Sequence, residues 1–160
     1  MIRLFFLMGL PGSGKSTLAN ALLDECLDRS LISTDRIRLD LYGNEAIQGD
    51  WLQIWQEVGR RFCEAASQIQ QGEKSAAIYD ATNTVRQQRR DMIALARKSG
   101  FTHVSGIWLN TPLWLCLQQN QQRDRQVPAD VIQHMSHRLR DAPPSRLEGF
   151  DSFLRVGNQR

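Results

Sequence analysis

Near the start of the chain, Gly9 is followed by four free positions and then Gly14-Lys15-Ser16. The spacing is that of a phosphate-binding loop, G-x-x-x-x-G-K-[ST]. Several backbone N–H groups must meet one polyphosphate together, so such a loop has to curl with no side chains in the way. Gly9, Gly12 and Gly14 permit that close approach. Lys15 offers a mobile positive charge to the β- and γ-phosphates, and Ser16 a hydroxyl ligand for Mg²⁺. The expected ligand is a nucleoside triphosphate.

Such a loop works between a strand and a helix, because the helix aims its first amides at the anion. Ile2 to Met8 reads as a buried strand, and Ser16 to Leu27 as a helix. Ser30 to Ser33 is a short strand, and Thr34 or Asp35 can cap the helix that runs on to Gly43. Gly49 to Gln71 reads as a long helix with Trp51, Trp55, Val58 and Phe62 forming a packed apolar face. Ser75 to Asp80 is a buried strand, and a basic helix with Arg86, Arg89 and Arg90 follows, ending at Gly100. Thr102 to Leu109 is another strand. Pro112 and Pro128 open two further helices, Leu113 to Gln122 and Ala129 to Arg140. The tail from Asp141 reads as a surface-hugging segment, with Phe150 and Phe153 expected to pack. Strands alternating with helices indicate an α/β fold, a parallel sheet covered on both faces, in a single domain spanning 1–160.

With 20 basic against 17 acidic residues, the net charge of +3 permits a nucleic-acid or phosphorylated substrate without demanding one. Cys26, Cys63 and Cys116 are scattered with no C-x-x-C pair, which suits buried thiols in a reducing, cytoplasmic setting rather than disulfides. The apolar start is too short to span a membrane. His134 and His137 share a helix face, but no third ligand lies near them in sequence, and zinc is not expected.

Ligands of parallel sheets gather at the carboxyl ends of strands, which places Ser33–Asp35, Asp80–Asn83 and the loop after Leu109 around the phosphate loop. Asp35 then stands where a general base for an incoming hydroxyl belongs. Arg38, one helical turn on, is placed to hold an acceptor phosphate. Asp80 has the position of a Mg²⁺-organising acid or an orienting partner for Arg38. Residues 118–128, with Arg123 and Arg125 between two helices, read as a mobile lid whose arginines neutralise charge on a transferring phosphoryl group.

These motifs together resemble the kinase domain of phage-type 5′-polynucleotide kinases and the wider zeta-toxin-like group of small P-loop kinases. The matching stretches are Gly9-x-Pro11-Gly12-Ser13-Gly14-Lys15-Ser16-Thr17, Ser33-Thr34-Asp35-Arg36-Ile37-Arg38, Asp80-Ala81-Thr82-Asn83 with Arg89-Arg90, and Arg123 with Val127-Pro128 and Val131. The resemblance implies a three-layer P-loop NTPase sandwich, with four to five parallel strands, helices on both faces and a helical lid. It implies ATP and Mg²⁺ as donor and cofactor. Gly9, Gly12, Ser13, Gly14, Lys15, Ser16 and Thr17, with Arg123 and Arg125 from the lid, are the implied nucleotide contacts. Lys15, Asp35 and Arg123 are the implied catalytic residues. Asp35, Arg38, Asp80 and Asn83 face the acceptor, and Ser16 and Asp80 the metal. The resemblance stops where the phage enzyme continues into a phosphatase domain, so no end-healing phosphatase is expected. Gln118, Gln119 and Gln121 also stand where that enzyme's lid is more basic.

The leading expectation is an ATP-dependent kinase acting on a nucleic-acid 5′-hydroxyl. The alternatives are a kinase of a small metabolite, nucleoside or antibiotic, and a nucleotide-binding switch or ATPase. Arg38 favours a phosphorylated acceptor, whereas the glutamine-rich lid favours a small one. Against a switch, the Asn/Thr-Lys-x-Asp base-recognition signature of GTP-binding proteins is absent from the sequence.

Overall fold

A computed structural model describes residues 1–157. Its centre is β1 (Arg3–Met8), an apolar strand in which Leu4, Phe6, Leu7 and Met8 are all fully buried. A strand apolar on both sides needs cover on both faces, and the helices supply it. The even positions Leu4, Phe6 and Met8 join the larger core with α3 (Trp51–Gln70) and α4 (Arg86–Ser99). Leu7 and Phe5 face α1 (Lys15–Glu25) through Ala19, Leu18 and Leu22. The remaining strands are β2 (Arg29–Ser33), β3 (Ala76–Asp80), β4 (His103–Leu109) and β5 (Ser152–Val156). All pair in parallel, in the order β2-β3-β1-β4-β5. The expected parallel α/β sheet is present with five strands.

The fifth strand departs from the reading of the tail as a surface segment. Residues 152–156 pair along β4, and the backbone N–H of Asn110 donates to Val156 O at 2.7 Å. Phe150, just before the strand, packs edge-on against Phe6 with ring centroids 5.3 Å apart. Its burial is as expected; the strand that follows it is not. The bare Cα of Gly106 makes room, since a Cβ there would lie 2.9 Å from the Phe150 ring.

Two further expectations are corrected. Ser33, rather than Thr34 or Asp35, caps α2 (Thr34–Tyr42), its Oγ accepting from the Arg36 N–H at 3.3 Å. That leaves the Asp35 carboxylate uncommitted to the cap. On α3 the buried ridge is Ile54, Val58 and Phe62, at i, i+4 and i+8. Trp55 is half-buried beside it, and Trp51 is 41% exposed at the helix start.

Arg89 carries the least expected contact of the fold. It is fully buried and grips Glu148 with two bonds of 2.8 and 2.6 Å. It also donates to Asn83 O at 3.1 Å and to Ala142 O at 2.8 Å. One guanidinium thus ties the loop after β3 to the descent from the last helix toward β5. Removing one partner strands a buried charge. Arg89→Met is therefore expected to cost about 3–5 kcal/mol in urea unfolding, and Arg89→Met with Glu148→Leu less than that. A single variant as stable as the parent would show that the pair is dispensable.

Candidate active site at the carboxyl edge of the sheet

At the carboxyl end of β1 the chain turns through the glycine loop and enters α1 directly at Lys15. Gly14 caps that helix with φ 100°, a left-handed conformation that glycine adopts without strain. Gly12 is needed for a different reason. A Cβ there would lie 2.4 Å from the carbonyl oxygen of Cys116 on α5 (Leu113–Gln121). The Thr111 hydroxyl donates to Ser13 O at 2.8 Å from the same side. The loop is therefore pinned from outside as well as by its own sequence.

Lys15 is buried and folds back to donate to Leu10 O at 2.9 Å. Burial lowers its pKa from the ordinary lysine value to about 8, with Asp80 pulling it back up and Arg123 pushing it further down. Asp80 is the last residue of β3, in register with Leu7 on one side and Ser33 on the other. Burial raises its carboxyl above the usual range, against the opposing pull of Lys15 and a hydrogen bond from Ser16. Ser16 Oγ donates to Asp80 Oδ2 at 3.2 Å.

The donor set fits the expected groups. Ser13 Oγ is buried without a hydrogen-bond partner, on a loop that curls around a lysine. Ser16 and Asp80 present two hard oxygen ligands beside each other, the type Mg²⁺ selects.

On the β2 side, Arg38 Nη1 donates to Asp35 Oδ1 at 3.1 Å, one helical turn apart; Asp80, expected as an orienting partner for Arg38, accepts from Ser16 instead. Arg38 is largely buried, and its Nε has no partner. Arg125 also reaches Asp35 Oδ1, at 3.1 Å. Arg125, expected among the nucleotide contacts, pairs with Asp35 in this structure. Arg123 lies near enough to shift both Lys15 and Asp80.

Asn83 is brought to the site but turned under it. It holds the left-handed conformation with φ 53°, and its Nδ2 donates to Leu7 O at 2.7 Å and to Ala81 O at 3.2 Å. The side chain braces the loop after β3 against β1. Thr17 follows Ser16 in the first turn of α1.

Sequence reasoning missed Asn120. Its side chain accepts from the Val127 N–H at 3.0 Å and donates to Val127 O at 2.7 Å. This closes the base of the lid loop between α5 and α6 (Ala129–Asp141). An Asn within a run of glutamines carries no signal of that role. Leu10, Cys116 and Ile132 bury a small separate core beneath the lid.

A glycine loop between β1 and α1, an acid at the end of β3 and a lid bearing arginines, all on a five-stranded parallel sheet, define a P-loop kinase fold. The sequence profile of the AAA-domain family matches residues 4–142, and the chain belongs to that family. Among curated relatives it is 28% identical over 151 residues to L-seryl-tRNA(Sec) kinase of Methanococcus maripaludis. The match covers 89% of this chain and 54% of that protein, so the chain spans about half the relative's length. The fold is shared with a chain of the Pnkp1/Rnl/Hen1 RNA repair complex, at TM-score 0.68 and 17% identity over 88% of this chain and 44% of that one. It is shared as well with Chaetomium thermophilum Kti12 in complex with ADP-AlF3, at TM-score 0.67 and 16% identity over 96% and 88% of the two chains. Among the described residues, no helix is long and apolar enough to cross a membrane.

Proposed function

We propose that the chain is an ATP-dependent kinase that transfers the γ-phosphoryl group to a hydroxyl on a nucleic acid, with a 5′-hydroxyl as the first acceptor to test. The observation that carries this reading is Asp35 at the carboxyl end of β2, bonded to Arg38 at 3.1 Å, with its charge favouring the ammonium form of the phosphate-loop lysine. A carboxylate there accepts the proton of an attacking hydroxyl. Arg38 orients it and brings a guanidinium beside the carboxylate, which supports a phosphate-bearing substrate over a neutral one. The curated relative, named as a kinase of a seryl-tRNA, supports an acceptor carried on a nucleic acid.

On the donor side, Gly9, Gly12, Ser13, Gly14 and Thr17 line the phosphate loop, and Lys15 and Arg123 neutralise the transferring group. Ser16 and Asp80 would hold Mg²⁺. Mg²⁺ bound there supplies stabilisation of the charge that builds on the phosphates. Asp80 also sits where its charge favours the ammonium form of Lys15.

Label transfer from γ-³²P-ATP to a short RNA with a free 5′-hydroxyl tests the reading, with a 5′-blocked RNA as control and seryl-tRNA as second acceptor. Label on the free end alone identifies a polynucleotide kinase, and label on seryl-tRNA alone moves the acceptor to the seryl hydroxyl. No label on either, with ATP still bound, would turn the assignment to a small metabolite, for which the glutamines of the lid argue.

A further inference from the structure

The two lid arginines divide the site between them. Arg125 crosses to Asp35 in an ion pair of 3.1 Å, whereas the charge of Arg123 acts on Lys15 and Asp80. Asp35 Oδ1 is thereby held by two guanidinium groups at 3.1 Å, one from its own helix and one from the lid. The two contacts differ in kind. Arg38 is attached to α2 one turn from Asp35 and stays with it. Arg125 belongs to a loop that, among the described residues and apart from this ion pair, is tied at its base, where Asn120 bonds Val127 and the Gln126 side chain donates to Gln121 O at 2.9 Å. A partly exposed ion pair at the tip of such a loop is weak enough to exchange for another partner.

A carboxylate able to take a proton from an acceptor hydroxyl can also take one from water. In the empty acceptor site that reaction wastes ATP. Water oxygen bonds to the γ-phosphorus, its proton passes to Asp35, the bond to the β-phosphate oxygen breaks, and ADP and inorganic phosphate leave.

We propose that Arg125 is a positioning residue that withholds Asp35 from water until an acceptor arrives, and so couples ATP consumption to acceptor occupancy. The inference rests on the reading of Asp35 as general base. Without acceptor, the lid guanidinium lies on Oδ1 beside that of Arg38 and covers part of the carboxylate from water. With acceptor, its hydroxyl takes that place and the lid arginine is released, beside Arg38. The acceptor phosphate that Arg38 can take is then within reach of both guanidinium groups. Arg125 acts through Asp35 and through the acceptor, never on the γ-phosphate.

Arg125→Gln separates this role from a merely structural one. Acceptor-independent ATP hydrolysis is expected to rise about fivefold, the share an ion pair of this exposure can withhold. Acceptor KM should rise, while kcat at saturating acceptor changes less. Arg125→Lys should restore most of the coupling, and Asp35→Asn added to Arg125→Gln should abolish the extra hydrolysis. A readout without turnover is tryptic cleavage between Arg125 and Gln126 in nucleotide-free protein. It should accelerate in Asp35→Asn, with cleavage outside the lid unchanged. Unchanged hydrolysis in Arg125→Gln, or a rise that persists in the double variant, overturns the proposal. Asp35→Asn with undiminished acceptor phosphorylation overturns the general-base reading itself. Loss in Asp35→Asn beside a silent Arg125→Gln overturns only the latch.

Discussion

Lys15→Ala is expected to lower phosphoryl transfer by about 10²–10³-fold, the usual cost of removing one preorganised charge from a transition state. The fold should survive, because the ammonium makes one hydrogen bond, to Leu10 O, and its burial is unfavourable to begin with. The same burial gives the prediction a pH signature. In the free protein Lys15 titrates at about 8, and a polyphosphate favours its charged form. Binding therefore raises its pKa, and above pH 8 ATP must carry a proton into the site. ATP affinity should be flat below pH 8 and fall as pH rises through that value. Calorimetry in two buffers of different ionisation enthalpy reads the proton uptake directly at pH 8.5. Lys15→Ala should show neither the uptake nor that fall. If its transfer rate stayed near that of the parent, the donor-site assignment would be wrong.

How much of this site was legible in the sequence depends on how local its causes are. The glycine loop, its strand and its helix were readable because motif and apolar periodicity agree over adjacent residues, Arg3 to Glu25. The nearness of Arg38 to Asp35 followed from a three-residue spacing on a helix, but the bond between them, in place of one to Asp80, did not. Arg89 carried a signal that was passed over. It stands at i, i+3, i+4 and i+7 with Met92, Ile93 and Ala96, on the buried stripe of α4, where only a partnered arginine belongs. Its partner Glu148 lies 59 residues on and could not be foreseen. β5 was missed for a related reason. Ser152 to Val156 is short, and its strand character comes from pairing with β4 rather than from its own pattern. The pairing of Arg125 with Asp35 depends on the path of an irregular loop, which no periodicity encodes.

Asp35→Asn carries the other large effect, a fall in acceptor phosphorylation of about 10²–10⁴-fold, the range general-base catalysis spans. The amide is nearly the same shape as the carboxylate, and its oxygen can still accept from Arg38, so acceptor orientation is largely kept. What it lacks is a site for the proton. The loss should therefore fall on kcat, with acceptor KM changing little. Because Asp35 adds only a secondary charge contribution at Lys15, after burial, Asp80 and Arg123, ATP affinity should remain within about threefold of the parent. Arg38→Ala should divide the opposite way. It removes the group bonded to Asp35 and, on the proposed function, the ligand of an acceptor anion, so KM should rise along with the fall in kcat. Steady-state kinetics with varied acceptor at saturating ATP distinguishes the two. A parental kcat in Asp35→Asn would remove this carboxylate from the chemistry, and a loss confined to KM would make it a binding group for the acceptor.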